Sequence, residues 1–542
     1  MRKATSWVYM FLVTLALFSV SGLNAVAQNQ YYVAATGGSD SNSGTSIGSP
    51  WATCNHAMAA ATLNSVGAVI NFIASNSQHA GCTAVNRNVA APARLAMRCT
   101  APWTSDGHTV LSPHCRMNGP FLVRTANRID IGANPFLGFE YTNPGDNTAV
   151  DVISQCPGNA GACGFGNSIH VFGNFFHDIG QTNGNGCPSS GGILITNAHG
   201  VSVTDAQVIG NVIDHIGIFP GPPGNQMHGI YVSTMNGQVY NNVVTRACYA
   251  GLQYYDQACN ARVSNNVFAN NTVGMVYYGS HGCTAGLNTG DNNVLVNNTQ
   301  QAINNSFSGD QGCTPGRQML YSNNIISGNG VNGPTHAFAS CTTVQNQKSE
   351  NPTTTFVSYT GSAQTSDFHL KAGSQAIGGG TSQCASGGLT PCVPSVDIAG
   401  NAFAGQIGAF ASGSPIPTGL LTPTSITFAD TFTGVTSNFV PITVHNTSGV
   451  AVVFSSIVAS THFALVTSAT PCPIGGGGLA AGGMCEVDVT FSPNSATSFS
   501  GTVTFTDNFV GTPASPQTVA LSGNGTTPSA PSAPTGVSVV VH

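Results

Sequence analysis

The chain has 542 residues, enough for several domains, and it carries very few charges. Only 6% of its residues are charged, against about a quarter in an average soluble protein, and Gly, Asn, Ser and Thr are expected to fill the surface instead. The net charge of −6 includes no basic block, which argues against nucleic acid as a partner. Beyond the N-terminus, no apolar run reaches the roughly 20 residues that a membrane-spanning helix needs.

The first 27 residues have the pattern of a secretory signal peptide. Arg2 and Lys3 supply the positive end, and residues 8–20 form the apolar segment. Ala25-Val26-Ala27 is a small-x-small cleavage site before Gln28. We therefore expect a secreted or cell-surface protein without a transmembrane segment after cleavage; an uncleaved anchor is the alternative.

All 16 cysteines follow this segment. An even number of cysteines in an exported chain favours disulfides. No CxxC pair stands beside a second pair at zinc spacing, so no metal or other cofactor is expected, and calcium would lack a supporting motif. Three pairs are close enough in sequence to form local bridges, whereas the pairing of the rest stays open: Cys156 with Cys163, Cys384 with Cys392, and Cys472 with Cys485.

The mature chain opens with a strand, a polar loop and a short helix. Tyr31-Tyr32-Val33-Ala34 predicts the strand, residues 37–45 the loop, and Pro50-Trp51-Ala52-Thr53 with residues 57–61 the helix. This opening resembles the entry to secreted right-handed parallel β-helix proteins of the pectate-lyase-like group. The resemblance implies that the helix caps the open end of a solenoid. Such a cap is needed because exposed strand edges recruit other chains.

After irregular strands up to about Asp151, one phrase recurs between about Ser168 and Gly330: an Asn followed by two apolar residues. Its spacing of roughly 20–40 residues, with short strands and no helical periodicity, predicts a β-solenoid. Each Asn is expected at an inward turn, where its side-chain amide bonds the next coil. The recurring residues are Asn174, Asn211, Asn242, Asn266, Asn293 and Asn324.

Residues 367–410 are similar to the closing segment of many exported β-helix proteins. The similarity rests on Asp367-Phe368-His369-Leu370, on Val396-Asp397-Ile398-Ala399-Gly400-Asn401 and on Gln406-Ile407-Gly408-Ala409-Phe410. We expect this segment to finish the solenoid. Because Gln375 and Gly378 replace the proline and the acidic residue of that pattern, we expect no chemistry there.

The C-terminal part has a different pattern. After a Pro/Gly/Ser linker, short alternating strands spaced by about 8–12 residues predict an Ig-like sandwich. Residues 479–493 and 517–525 resemble the "choice-of-anchor D" module of exported bacterial proteins, which implies a spacer or surface-associated domain. Residues 536–542 resemble the first strand of a fibronectin type III domain. A lone strand must pair with the sandwich or belong to a truncated chain.

The predicted fold class is therefore all-β, a right-handed parallel β-helix followed by an Ig-like β-sandwich, and we expect a monomer. The predicted segments are a signal peptide at 1–27, a β-helix with its N-terminal cap at 28–411, a linker at 412–419, the sandwich at 420–525, and a second linker with the incomplete fibronectin-like start at 526–542.

Aligning the coils on the recurring Asn gathers ionisable residues in the first coils. The third and fourth residues after Asn are His-Asp, Asp-His and Thr-Arg in successive coils, whereas later coils have none that ionise. The first two of these coils also hold insertions at 181–190 and 219–227. Insertions in solenoids gather on one face, often the binding face, so they should wall a groove. The candidate catalytic residues are His177, Asp178, Asp214, His215 and Arg246.

Candidate substrate-binding residues follow on the next strands. Alternation turns Ile230 and Val232 inward and Tyr231 and Tyr255 outward. Exposed tyrosines suit the apolar faces of sugar rings. The candidates are His228, Tyr231, Tyr255, Asp256 and Tyr278.

Two reactions fit such a groove. A lyase would need a cation, Arg246 or Arg262, to neutralise a sugar carboxylate, and a histidine base, chosen from His177, His215 and His228. A glycoside hydrolase would use Asp178 and Asp214 as acid and base.

Neither reaction matches a known catalytic motif of β-helix enzymes. The His-Asp pairs have a structural interpretation, bonding one another and loop backbone, and a His/Asp metal site is a further alternative. We expect a protein that binds polysaccharide or a cell-surface glycan and, if an enzyme, is a polysaccharide lyase or glycoside hydrolase. The alternative is a non-catalytic carbohydrate-binding or structural, adhesin-like surface protein.

Overall fold

The computed structural model describes residues 28–527 with internal gaps. Within the described part, no helix is long and apolar enough to cross a membrane. The predicted signal peptide, most of both loop insertions and the fibronectin-like strand lie outside the described residues. The gaps are 85–86, 125, 146–147, 155–166, 183–189, 198–203, 222–226, 257–258, 280–286, 306–317, 336–341, 372, 382–392, 402, 404, 411–420, 447–451, 469, 476–477, 480–482 and 508–515.

Three long parallel sheets form the larger part of the molecule. Successive strands of the chain visit the first, second and third sheet in turn, so each coil of three strands stacks on the one before. This is a right-handed parallel β-helix, and the predicted fold class is confirmed.

The strand bounds of the three sheets follow in pairing order. The first sheet contains β1 (Asn29–Val33), β2 (Gly67–Phe72), β5 (Arg94–Cys99), β8 (Ile129–Ile131), β11 (His170–Phe172), β14 (Gln207–Ile209), β17 (Gln238–Tyr240), β20 (Arg262–Ser264), β23 (Asn288–Asp291), β26 (Met319–Ser322) and β29 (Thr342–Gln345). The second contains β3 (Gln78–His79), β6 (Arg116–Met117), β9 (Glu140–Asn143), β12 (Phe175–Ile179), β15 (Val212–Ile216), β18 (Val243–Ala247), β21 (Val267–Ala269), β24 (Val294–Val296) and β27 (Ile325–Ser327). The third contains β4 (Cys82–Ala84), β7 (Phe121–Val123), β10 (Val150–Ser154), β13 (Ser190–Asn197), β16 (Met227–Val232), β19 (Ala250–Asp256), β22 (Val273–Gly279), β25 (Gln301–Asn305) and β28 (Pro334–Thr335).

A short helix packs at the start of the solenoid. Helix α1 (Cys54–Ala60) begins after Thr53, whose side chain accepts the backbone N–H of His56 at 3.2 Å. The indole of Trp51 stacks on Tyr31 with ring centroids 5.0 Å apart, and its backbone extends the first sheet beside Val33. Cap and solenoid therefore share one core, which removes the open edge of β1.

The Asn ladder is confirmed. Asn242 Nδ2 donates to Asn266 Oδ1 at 3.0 Å, and the backbone N–H of Asn242 donates to the same oxygen at 2.9 Å. Its Nδ2 also reaches the carbonyl of Val208 at 2.8 Å. The other members repeat this pattern up to Asn324, which ends the ladder as an acceptor and donates to the carbonyl of Gly290, and all six are fully buried. The ladder therefore satisfies the backbone at the turn between the first and second sheets.

The segment after the last coil folds back outside the solenoid instead of adding further coils. It contains α2 (Pro352–Thr355), β30 (Phe356–Ser358) and β31 (Asp367–Leu370), with β30 and β31 antiparallel. Phe356, Phe368 and Ile407 pack against apolar residues on the outer face of the second sheet, such as Val212 and Val243. We call residues 356–370 the strap. It forms a second core over the second sheet and brings distant residues there.

The C-terminal part is a β-sandwich. One sheet contains β32 (Leu421–Thr422), β35 (Val440–His445), β38 (Met484–Phe491) and β37 (Phe463–Val466). The other contains β33 (Ser425–Thr427), β40 (Gln517–Thr526), β39 (Ser498–Asp507) and β36 (Phe454–Ala459), and β34 (Thr431–Phe432) pairs with β40. Its separate apolar core includes Ile442, Phe491 and Phe505.

The three bridges expected from sequence have different outcomes. Cys472 is bonded to Cys485, so this prediction is confirmed. The other two lie outside the described residues and stay predictions, because the structure describes none of their four cysteines: Cys156 with Cys163, and Cys384 with Cys392.

Further disulfides, which sequence spacing did not predict, lie in the solenoid. Cys99 is bonded to Cys115, and Cys54 of α1 is bonded to Cys82 of β4. Two more cysteines of the coils, Cys248 and Cys259, are also disulfide-bonded. Such bonds fit a protein that folds in an oxidising compartment.

Candidate functional site

Ionisable side chains line the outer face of the second sheet over five neighbouring coils. They belong to β6, β9, β12, β15 and β18, and one of them lies just before β6. The parallel register places His177 beside Asp214, and Asp214 beside Thr245. We call this set the charge strip: His114, Arg116, Glu140, His177, Asp178, Asp214, His215 and Arg246. All five candidate catalytic residues lie in it.

Three of these residues occupy one unusual backbone position. Asp178, His215 and Arg246 have φ angles of 50°, 58° and 52°, in the left-handed region. The next two coils place Asn270 and Asn297 there, and Asn, Asp and His all enter this region more often than other side chains do. Arg246 is therefore the residue of the three that suits the position least.

Imidazoles and carboxylates alternate along the strip. His114 Nε2 contacts Glu140, and Glu140 Oε1 lies 3.2 Å from His177 Nε2. His177 Nδ1 lies 2.8 Å from Asp178 Oδ2, and Asp178 Oδ1 lies 2.7 Å from His215 Nδ1. Four consecutive contacts thus join five side chains across four coils.

This alternation sets the protonation states. Burial alone would raise the pKa of Glu140, but hydrogen bonds with His114 and His177 lower it to about 2. Burial opposes ionisation of Asp178 too, yet His177 and His215 hold its pKa well below the usual range. Burial would lower the pKa of His177, whereas Asp178 and Glu140 raise it. The carboxylates are therefore ionised at neutral pH.

His215 differs from His177 in having a ring nitrogen that faces solvent. Both nitrogens of His177 contact carboxylates, whereas His215 bonds only through Nδ1, and its side chain is 28% exposed. In the described part of the chain, no group bonds its Nε2. Since Asp178 accepts the Nδ1 proton, the tautomer that this contact selects has its lone pair on Nε2, facing outward. This is the arrangement of a general base.

Asp214 is a structural carboxylate. Its side chain is 0% exposed and accepts Arg246 Nε at 2.9 Å and Nη2 at 2.7 Å. Thr245 Oγ1 and Ser362 Oγ donate to it at 2.6 and 2.7 Å. Burial opposes its ionisation, but Arg246 keeps the pKa below the usual value. It cannot supply the proton that an acid catalyst must give.

Neither arginine proposed to neutralise a sugar carboxylate is placed for that role. Arg246 is occupied by Asp214, and Arg262 lies on the first sheet, fully buried. Arg116, whose side chain is 39% exposed, stands at the strip 3.2 Å from Glu140. It lies in a coil that precedes the Asn repeat, so the alignment of coils could not reach it.

A cleft of about 480 Å³ opens at the N-terminal end of the strip. Its wall holds Arg116 and three histidines, His108, His114 and His177, against the single carboxylate of Glu140. Gln364 of the strap closes one side. Because the exposed guanidinium of Arg116 faces the cleft, the cleft can bind an anionic group of a ligand.

The predicted single groove is wrong, because the substrate-binding candidates lie on another sheet. His228 and Tyr231 are on β16 and Tyr255 is on β19, both in the third sheet, whereas the charge strip is on the second. A turn separates the two sheets in every coil, so neighbours in sequence face different directions. The side chains of Asp256 and Tyr278 lie outside the described residues.

On the third sheet, the predicted alternation is confirmed. Ile230 and Val232 are buried in the core, Tyr255 is 37% exposed, and Tyr231 lies 5.9 Å from it between ring centroids. His228 is only 3% exposed, and burial lowers its pKa to about 3. His228 is therefore a neutral packed ring and no candidate base.

Two residues that sequence reasoning missed come from the strap. Gln364 Nε2 donates to Asp178 Oδ2 at 3.2 Å and to Asp214 Oδ2 at 3.0 Å. Ser362 makes the contact with Asp214 already described. They stand about 150–190 residues from these partners in the chain, so no local pattern could reveal them. In the described residues, no group of three or more His, Cys, Asp or Glu is arranged to hold a metal.

No protein family matches the chain, and no curated protein does. Among solved structures, it is similar to the pectate lyase Pel9A, with 15% identity, 72% of this chain and 98% of that one covered, and a TM-score of 0.31. A periplasmic alginate epimerase matches at 12% identity over 52% and 77% of the chains, with a TM-score of 0.27. A lacto-N-biosidase from Eubacterium ramulus matches at 11% identity over 59% and 68%, with a TM-score of 0.29. All three are β-helix folds.

Proposed function

We propose that this protein binds an acidic polysaccharide across the charge strip and the neighbouring cleft and cleaves it by proton abstraction, as a lyase. The observation that carries the proposal is the 2.7 Å contact between Asp178 Oδ1 and His215 Nδ1, which leaves Nε2 of His215 open to solvent. The exposed guanidinium of Arg116 in the neighbouring cleft supports an acidic substrate.

Binding and chemistry would be divided between two side chains. Arg116, which lies three strands from His215 in the second sheet, would pair with the carboxylate of a neighbouring sugar and hold the chain in place. His215 Nε2 would take the proton from the carbon next to the carboxylate of the reacting sugar. The electron pair of the broken C–H bond would form a C=C bond, and the glycosidic oxygen would depart with its own bonding pair and take a proton from solvent. The product would be an unsaturated sugar.

The hydrolase alternative has less support. Glycoside hydrolysis needs one carboxylic acid that keeps its proton near neutral pH. Asp178 and Asp214, the two candidates, both have lowered pKa values, and Asp214 is fully buried.

A non-catalytic binding module is the second candidate function. It is favoured by the charge strip, in which Glu140, His177 and Asp214 already have partners within the protein. Such a strip would hold the shape of the cleft, and the ligand would contact Arg116 and the histidines without reacting.

The proposal extends to the whole chain. We assign residues 1–27 to a signal peptide, 28–411 to the β-helix, 420–525 to a sandwich of the choice-of-anchor D type, and 412–419 and 526–542 to linkers. Export is supported by the disulfides of the solenoid and the sandwich. The sandwich would act as a spacer or surface-associated domain of a monomeric, extracellular protein that contacts glycans.

The test is a screen of the purified protein against acidic and neutral polysaccharides. Ultraviolet absorbance detects unsaturated products, and a reducing-end assay detects every cleavage. Both signals on an acidic polymer alone support the lyase. Reducing ends without absorbance would indicate hydrolysis, and binding without either signal would favour the module.

A further inference from the structure

The strap supplies one side chain, Gln364, to the cleft, and the proposed reaction gives this side chain no role. Its apolar residues Phe356, Phe368 and Leu370 are buried in the core over the second sheet. At its tip, Gly361 O accepts Asn270 Nδ2 at 2.9 Å, and the N–H of Ala363 donates to Thr245 Oγ1 at 2.9 Å. The tip is therefore anchored next to Gln364.

The amide of Gln364 has one possible orientation. Its terminal nitrogen lies between Asp178 Oδ2 and Asp214 Oδ2, at 3.2 and 3.0 Å. Both carboxylates are ionised acceptors, since their pKa values are lowered, so the group facing them must be the NH₂ donor. An amide nitrogen has two hydrogens, and one is available for each carboxylate. The amide plane is thereby fixed.

The carbonyl oxygen of Gln364 then points away from the carboxylates. In the described residues, no donor bonds this oxygen, and Gln364 is half-buried and lines the cleft. A fixed acceptor thus stands in the same cleft as the cation Arg116. A sugar that carries a carboxylate and a free hydroxyl would satisfy both, and a blocked hydroxyl would leave the acceptor without a donor.

We propose that Gln364 is a specificity-determining residue that selects acidic sugars with a free hydroxyl over their O-acylated forms. This inference rests on the proposed function, because it concerns the same cleft. It adds that the strap, and not the coils alone, determines which acidic glycan is accepted.

The test measures binding by calorimetry of two probes, a uronic acid hexamer and the same hexamer after O-acetylation. A His215→Gln background prevents cleavage during the titration. We expect this protein to bind the free hexamer at least about tenfold more tightly than the acetylated one. Gln364→Met keeps the side-chain length and removes both polar atoms. Adding it to the background should reduce the ratio of the two binding affinities, free over acetylated hexamer, to about one.

Two controls separate recognition from loss of folding. Gln375→Met changes an exposed glutamine in the segment that follows the strap, and Val357→Ala shortens an exposed side chain of the strap itself. Both should keep the preference. An unchanged ratio in Gln364→Met, or a lost ratio in either control, would overturn the inference. Absence of binding to both hexamers in the background protein would instead contradict the proposed acidic substrate.

Discussion

Asp178 and His215 occupy the same left-handed position in neighbouring coils, and their side chains meet at 2.7 Å. The stacking of coils alone makes this pair, because residues 37 apart in the chain become neighbours in the second sheet. In the next coil the same position holds Arg246, which pairs with Asp214, and the coils after that have Asn270 and Asn297 there. The dyad is therefore the place where the solenoid offers an oriented base.

Loss of a ladder asparagine should destabilise the solenoid strongly. Asn242→Ala leaves the buried N–H of Asn211 without its acceptor and removes a bond to the carbonyl of Val208, and we expect a loss of about 3 kcal/mol or more in the free energy of unfolding. Chemical denaturation measures this. Asn118→Ala, at an exposed position between β6 and β7, should change stability by less than about 0.5 kcal/mol.

Breaking the ion pair at Asp214 should affect folding more than chemistry. Arg246→Ala leaves a fully buried carboxylate without its cation, which costs about 3–5 kcal/mol. Adding Asp214→Asn removes the charge and should recover part of the loss. Denaturant unfolding of the single and double variants provides the comparison. Equal stability of Arg246→Ala and the wild type would show that the pair is not needed for the fold.

The contributions of Glu140 and His177 to stability should both be complete in mildly acidic solution. The lowered pKa of Glu140 contributes stability above its unfolded value of 4.5, and this is lost as pH falls toward about 2. The raised pKa of His177 contributes stability below its unfolded value of 6.5, which is lost as pH rises through the folded value. Both contributions are complete between about pH 4.5 and 6.5.

Melting temperatures between pH 3 and 9 test this window. In Glu140→Gln the decline on the acid side should become shallower, because the group that titrates there is gone. The expected contribution of Glu140 is at most about 3 kcal/mol, the equivalent of its pKa change. If the melting temperatures of the wild type and of Glu140→Gln changed in parallel with pH, Glu140 would not be the group that stabilises the fold in acid.

His228 should be dispensable for turnover. The ring is buried on the third sheet, and its lowered pKa of about 3 keeps it neutral at any pH used for assay. His228→Phe preserves the ring packing against Tyr231 and Tyr249 and should retain activity per folded molecule. A loss of turnover with unchanged melting temperature would return His228 to the site.

The sequence predicts the solenoid well because its signals are local and repeated. The recurring Asn and the short strands determine the coil, and aligning them brought Asp178, His215 and Arg246 into one column. The same alignment could not show that this column faces a different side from His228 and Tyr231. That direction depends on the turn between the second and third sheets, which sequence spacing does not define.

Contacts from distant segments were beyond the sequence. Gln364 and Ser362 reach the strip because the strap folds back over the second sheet, which follows from packing of Phe356 and Phe368 and not from any motif. Arg116 belongs to an irregular early coil. The sequence predicted Asp214 as a catalytic residue, whereas the structure makes it a structural carboxylate. Its burial and its pairing with Arg246 are tertiary properties that no local pattern contains.

The most direct test of the proposed function is the turnover of His215→Gln on an acidic polysaccharide that the wild type cleaves. The variant keeps a hydrogen-bonding side chain beside Asp178 but has no ring nitrogen to accept a proton. We expect the rate of formation of unsaturated product to fall by about 10²–10⁴-fold, with melting temperature and binding retained. Turnover at the wild-type rate would show that the Asp178–His215 pair is not the base.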